Sequence, residues 1–208
     1  MKTLLMALAC GLALAGCGAT QTLSPQDRTR VSAISIEKEV PKPKQMSYLG
    51  PGGAFGLMFG AIGGAVTGAA SMPAAEAIRE HAEKNNVLIE NIVAQEMTAE
   101  LRRSGKFQIV EGGAAVGAEG GARMKFTVRA YGFSIPNGFS SKLLPTLSIG
   151  GELVDAKGAT VWQAWDYMSL LGSPVEGVAV EDLKDPQVIE RLWREAARTL
   201  AQKIIAGI

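Results

Sequence analysis

Two hydrophobic periods alternate along this chain, and together they leave few folds open. Met124, Phe126, Val128 and Ala130 alternate with Lys125, Thr127 and Arg129, the pattern of a strand with one buried face. Ile189, Leu192, Trp193, Ala196, Leu200 and Ile204 fall three and four residues apart, the stripe of a helix lying on a core. Asp185 can cap that helix and Pro186 can open it. A second stripe, Ile89, Ile92, Val93, Met97 and Leu101, lies in a helical stretch expected from Ala74 to Arg103, opened by Pro73 and bent or broken at Asn85-Asn86. Gly105 stops it by taking the left-handed conformation. Further strands are expected from Val31 to Val40, where Ile34, Ile36 and Val40 share a side and Pro41 and Pro43 end the run, and from Lys106 to Glu111. Leu147 to Val154 and Thr160 to Leu170 read as a hairpin across Asp155-Ala156-Lys157-Gly158. Helices that must each bury a stripe, beside a sheet with one apolar face, predict an α+β fold. The expected form is a two-layer domain, a mostly antiparallel sheet packed by two long helices, over residues 29–208.

The amino terminus is built differently. Met1-Lys2-Thr3 is followed by an apolar run from Leu4 to Leu14 and then by small residues, the layout of a secretory signal rather than a core helix. Leu14-Ala15-Gly16-Cys17 resembles a bacterial lipobox. That resemblance implies removal of residues 1–16, diacylation of the Cys17 thiol and acylation of the freed amine. One acyl chain holds a protein marginally and two or more anchor it stably, at about 0.8 kcal/mol per buried CH₂. Gly18 follows, whereas an Asp there is the usual inner-membrane retention signal in enteric bacteria, so the resemblance favours the periplasmic face of the outer membrane. Residues 17–28 are expected to be a tether, since Gly18 to Gln26 is small and polar without a hydrophobic period. With Cys10 lost in the signal and Cys17 lipidated, no thiol remains to pair.

From Gln45 to Ala75 there is no charged residue, and Gly52, Gly56, Gly60, Gly64 and Gly68 recur at every fourth position. On a helix such glycines share one face and admit a second backbone closely, as in small-xxx-small packing within lipid. Phe55, Leu57, Met58, Phe59, Ile62 and Val66 would coat the other faces. Ala54 to Ala70 sits near the lower limit of about 17 residues for a span. Three readings of segment 50–72 stand side by side: a zipper that inserts in a bilayer or joins protomers, a buried core helix, and a glycine loop.

Leu101-Arg102-Arg103-Ser104-Gly105-Lys106-Phe107-Gln108-Ile109-Val110-Glu111 resembles the helix end, aromatic and strand ending in Glu of the curli-secretion-channel lipoproteins and the related TolB amino-terminal folds. Leu153 to Trp162 is similar to their strand, Asp, turn glycine, strand hairpin, and a closing helix with Ala196, Ala197 and Ala201 fits as well. In that channel family the loop between first strand and first long helix lines the pore constriction, the slot the glycines occupy here. The chain departs from the family in lacking a pair of long alternating segments to supply transmembrane hairpins. The pattern also resembles lipoproteins that activate cell-wall synthases and auxiliary lipoproteins of envelope transporters, and the resemblance implies no enzyme.

The residues themselves point the same way. His81 is the single histidine and lies on a charged helical stretch, so neither a histidine metal site nor a His-based triad is expected. No Gly-Lys-Ser/Thr follows the glycines and no GxSxG occurs, which removes a phosphate loop and a nucleophile elbow. Glu152, Asp155 and Asp166 are carboxylates at or near a turn and in a strand, positions where solvent exposure is ordinary. The balance of 21 basic against 20 acidic residues excludes a nucleic-acid footprint. Trp162, Trp165 and Tyr167, with Tyr131 and Phe133, either line a partner or lipid surface or pack the core. The expected protein is a non-enzymatic, lipid-anchored envelope component with no cofactor beyond the lipid on Cys17. Its partners are the membrane, an unidentified envelope protein and its own copies. A secretion-channel component and a lipid or small-molecule carrier are the rival readings.

Overall fold

A computed structural model describes residues 20–50, 74–110, 120–136, 140, 142–170 and 173–208. Cys17, the signal and Gly52, Gly56, Gly60, Gly64 and Gly68 lie outside the described residues, so those expectations are carried forward on the sequence alone.

The strands are β1 (Ala33–Ile36), β2 (Ser47–Leu49), β3 (Gln108–Ile109), β4 (Gly121–Ser134), β5 (Lys142–Asp155), β6 (Thr160–Tyr167) and β7 (Val178–Ala179). The helices are α1 (Pro25–Arg30), α2 (Ala74–Lys84), α3 (Ile89–Ser104) and α4 (Pro186–Ala206), with a 3-10 turn at Val180–Lys184. The sheet runs β3-β1-β4-β5-β6, and helices pack on one of its faces, the expected α+β arrangement. Its central and longest pairings, β4 with β5 and β5 with β6, are antiparallel. The other edge is parallel: β1 runs alongside both β3 and β4, and β2 alongside β4.

The strand expected from Val31 to Val40 is shorter than its pattern, its regular ladder running only from Ala33 to Ile36. The chain nonetheless follows β4: Glu37 N–H donates to Met124 O at 2.9 Å, Val128 N–H donates to Pro41 O at 2.9 Å, and β2 re-pairs at Gly132 to Ser134. An ideal Cβ on Gly132 would lie 1.8 Å from the Ser47 carbonyl oxygen, so only glycine lets β2 approach there.

Strand β4 changes phase in its middle. Val128 faces Ile149 and Ala130 faces Ser148, leaving Arg129 as the extra residue of a bulge. Met124, Phe126 and Val128 point into the core before the bulge, and Tyr131 and Phe133 do so after it. Ala130, expected on the buried face, is therefore exposed.

Asn85-Asn86 breaks the long helical stretch into α2 and α3, with Asn86 at φ 60°, a left-handed geometry that asparagine tolerates better than most residues. Gly105 ends α3 at φ 61°, as its position predicts. Asp185 caps α4 by accepting from the Gln187 N–H, with Pro186 in the first turn. Ile189, Leu192, Trp193, Ala196, Leu200 and Ile204 of α4 are all buried, and the larger among them contribute roughly 1.5–3 kcal/mol each by burial. Between helices and sheet, Trp193 stacks on Phe133 at 5.7 Å and meets Tyr131 edge-on at 5.9 Å.

The stretch expected to be a tether, residues 17–28, belongs to the fold from Gln21 onward. Gln21 forms an antiparallel bridge with Gln163, N–H to carbonyl at 2.7 and 3.0 Å. Leu23 is buried, and Ser24 caps α1 by accepting from the Asp27 N–H. A short segment with one core leucine and a Ser-Pro helix start has too little period for its sequence to reveal the docking.

Candidate functional site

Alternation along β6 separates its aromatics. Trp162 and Ala164 turn toward α4, while Trp165 and Tyr167 emerge on or beside the sheet face that the helices leave open. Trp162 is fully buried, its ring against the space left by Gly151, whose ideal Cβ would sit 3.0 Å from it. Of the two readings open for it, a partner surface or core packing, Trp162 takes the second: it is buried, because it shares the parity of the helix-facing residues. Tyr131 and Phe133 are core for the same reason. Trp165 and Tyr167 remain exposed, at 39% and 58%, with ring centroids 6.5 Å apart.

A cation completes this pair. The Arg129 guanidinium lies 4.9 Å from the centre of the Trp165 ring. Two backbone features lie beneath it. The bulge at Arg129 re-aims that side chain, and Gly150 stands between Thr127 and Trp165 across the sheet. The Arg129 stem passes over Gly150, where an ideal Cβ would lie in ordinary contact with it at 3.5 Å. Neither Arg129 nor Gly150 was legible as a site residue, since a bulge has no reliable sequence signal. On the helix-facing parity of β6, Asp166 lies 3.9 Å from Lys203 of α4.

The three candidate carboxylates serve local structure and do not converge. Asp155 accepts from the Lys157 and Ala159 N–H groups at 2.9 Å and from Arg30 at 3.0 Å. The Ala159 N–H first, then that of Lys157 and the Arg30 charge, hold its carboxyl below the usual range against partial desolvation. Glu152 accepts from the Thr160 hydroxyl across the hairpin. Ser148 donates to the Asp166 carbonyl at 3.1 Å, and the Asp166 carboxylate turns to Lys203. His81 is half-buried on α2, with Nε2 2.9 Å from the Lys184 carbonyl, a contact in which the ring N–H donates. Among the described residues no group of three His, Cys, Asp or Glu side chains is placed to hold a metal. Also among them, no helix is long and apolar enough to cross a membrane.

Two ion-pair clusters brace the helical layer. Lys42 reaches Glu83 at 3.2 Å and Glu90 at 2.9 Å, tying the segment between β1 and β2 to α2 and α3. Burial works against its ammonium, but Glu90 and Glu83 outweigh it and raise the pKa. Glu96 of α3 receives Arg194 at 3.0 Å and Arg198 at 3.1 Å from α4.

No family model matches the chain, and no curated protein does. Solved structures similar to it include the PelC dodecamer from Paraburkholderia phytofirmans, at 11% identity over 92% of this chain and 95% of that one, with a TM-score of 0.39. Protein XCC0632 from Xanthomonas campestris, of family DUF330, is 10% identical over 91% of this chain and 90% of that one, with a TM-score of 0.45. Lipoprotein GNA1162 from Neisseria meningitidis is 13% identical over 77% of this chain and 94% of that one, with a TM-score of 0.29.

Proposed function

We propose that this chain is a lipid-anchored envelope protein without enzymatic chemistry, held by acyl chains on Cys17 to the periplasmic face of the outer membrane. In this reading it acts there by assembly or partner binding. The observation that carries the proposal is the sequence Leu14-Ala15-Gly16-Cys17 closing a charged and then apolar leader. The three candidate carboxylates support it, Asp155 being used in a turn, Glu152 across a hairpin and Asp166 in an ion pair rather than gathered in a cleft. Gly18 after the cysteine favours the outer membrane over retention in the inner one.

Within the same reading, Gly52, Gly56, Gly60, Gly64 and Gly68 mediate insertion or self-association through a face that admits close backbone contact. In the sequence they lie between β2 and α2.

The test expresses the full chain in a Gram-negative host and compares membrane retention and oligomer mass in mild detergent. Wild type, Cys17→Ala and Gly60→Leu are measured together. Loss of retention in Cys17→Ala, with diacyl and amide-linked acyl mass on wild-type Cys17, supports the anchor. An unlipidated wild-type Cys17 refutes it. A smaller oligomer or weaker retention for Gly60→Leu supports the zipper, and a ring-shaped wild-type oligomer would move the assignment to a channel component.

A further inference from the structure

Three features of the amino-terminal edge converge on one surface. First, the Gln21–Gln163 bridge is antiparallel, so the chain reaches Gln21 from the side on which β6 continues to Trp165 and Tyr167. Second, Cys17 is four residues before Gln21, and four residues span at most about 14 Å even when fully extended. Third, at about 3.4 Å per residue, Trp165 stands about 7 Å and Tyr167 about 14 Å along β6 from Gln163, in the direction from which the chain enters. The sequence thus keeps Cys17 within about 14 Å of Gln21, and the exposed aromatic pair stands along β6 on the side from which the chain enters.

We infer that Trp165 and Tyr167, with Arg129 between the strands, form a membrane-contact patch that seats the edge of the sheet on the headgroup layer of the bilayer that anchors Cys17. The inference rests on the lipidation of Cys17 proposed above. Its occupant is set by the length and direction of the chain before Gln21, which leaves the bilayer surface within about 14 Å of that residue. The chemistry of the patch suits that layer. Trp and Tyr rings concentrate at the membrane–water boundary, where one end of the ring is apolar and the other is wet. The Arg129 guanidinium, 4.9 Å from the Trp165 ring centre, offers a planar set of donors to lipid phosphate. A lipid tether alone leaves the domain free to pivot. Contact at the aromatic pair fixes its orientation, with α3 and α4 on the opposite face of the sheet from Trp165.

The three tryptophans make the test direct, because Trp162 and Trp193 are buried while Trp165 is exposed. Full-length lipoprotein is purified from a Gram-negative host, its Cys17 lipid read by mass, and reconstituted into phosphatidylethanolamine and phosphatidylglycerol vesicles. Vesicles with and without a headgroup-nitroxide lipid are compared by tryptophan emission. Wild type is expected to lose emission on the nitroxide vesicles, and Trp165→Phe is expected to lose almost none. If the lipidated protein binds the vesicles and the nitroxide removes no more emission from wild type than from Trp165→Phe, the patch does not touch the bilayer and the inference fails while the anchor stands. If the mass shows no lipid on Cys17, the anchor reading fails and the docking falls with it.

Discussion

Replacing Trp162 by alanine tests the division of the β6 aromatics most sharply. Trp162 is 0% exposed and lies over Gly151, so its removal opens a cavity that α4 and the sheet cannot close without moving. Truncating a buried aromatic of this size costs about 3–5 kcal/mol, from lost transfer energy plus the cavity. Trp165, three residues on, is 39% exposed, and its alanine variant forfeits partial burial and the contact with Arg129. That loss is about 1 kcal/mol or less. Urea unfolding followed by far-ultraviolet circular dichroism separates the two. With a slope of about 2–3 kcal/mol per molar urea for a domain of this size, Trp162→Ala lowers the midpoint by about 1–2.5 M and Trp165→Ala by about 0.5 M or less. The indole Nε1 of Trp162 is buried with no hydrogen-bond partner among the described residues, so Trp162→Phe, which removes that donor while keeping most of the apolar contact, should cost much less than alanine. Equal midpoints for Trp162→Ala and Trp165→Ala would refute the assignment of Trp162 to the core.

Two further substitutions probe what holds the layers together. Gly132→Ala forces a methyl to within 1.8 Å of the Ser47 carbonyl, so β2 must leave β4, at a cost of about 3 kcal/mol. A melting temperature within a degree or two of wild type would refute that close approach. Glu96 is desolvated, which raises its pKa, but Arg198 and Arg194 lower it more and hold it below the usual glutamate range. A depressed folded pKa means that its contribution is fully present above the unfolded value and is lost as the pH falls through the folded one. Glu96→Gln should therefore cost about 1–2 kcal/mol at pH 7, discounted for the half-exposed Arg198, and progressively less toward pH 3. Urea midpoints across that range check the sign, and a difference that grows on acidification would refute it.

Much of the α+β fold was legible because it rests on local period. The stripe of α4 and its Asp185-Pro186 start, the Gly105 stop, and the hairpin turn at Asp155 to Gly158 each depend on residues a few positions apart, and all stand where the chain places them. The leader and the glycine register are likewise properties of the linear sequence.

Tertiary structure decided what depends on distant partners. Parity alone cannot say which of two alternating faces a helix will cover, so Trp162 and Trp165 were indistinguishable until α4 lay over one of them. The bulge at Arg129 shifted the register by one residue, exposed Ala130 and turned Arg129 toward Trp165, a choice made by the whole β4–β5 ladder rather than by any residue in it. The docking of Gln21 on Gln163 joins residues far apart in the chain, and it gives the amino-terminal segment a direction along β6. Local spacing determined the elements, because helices and strands answer to neighbours three, four or two residues away. Packing determined the surface, because exposure is set by what the rest of the chain brings to each face.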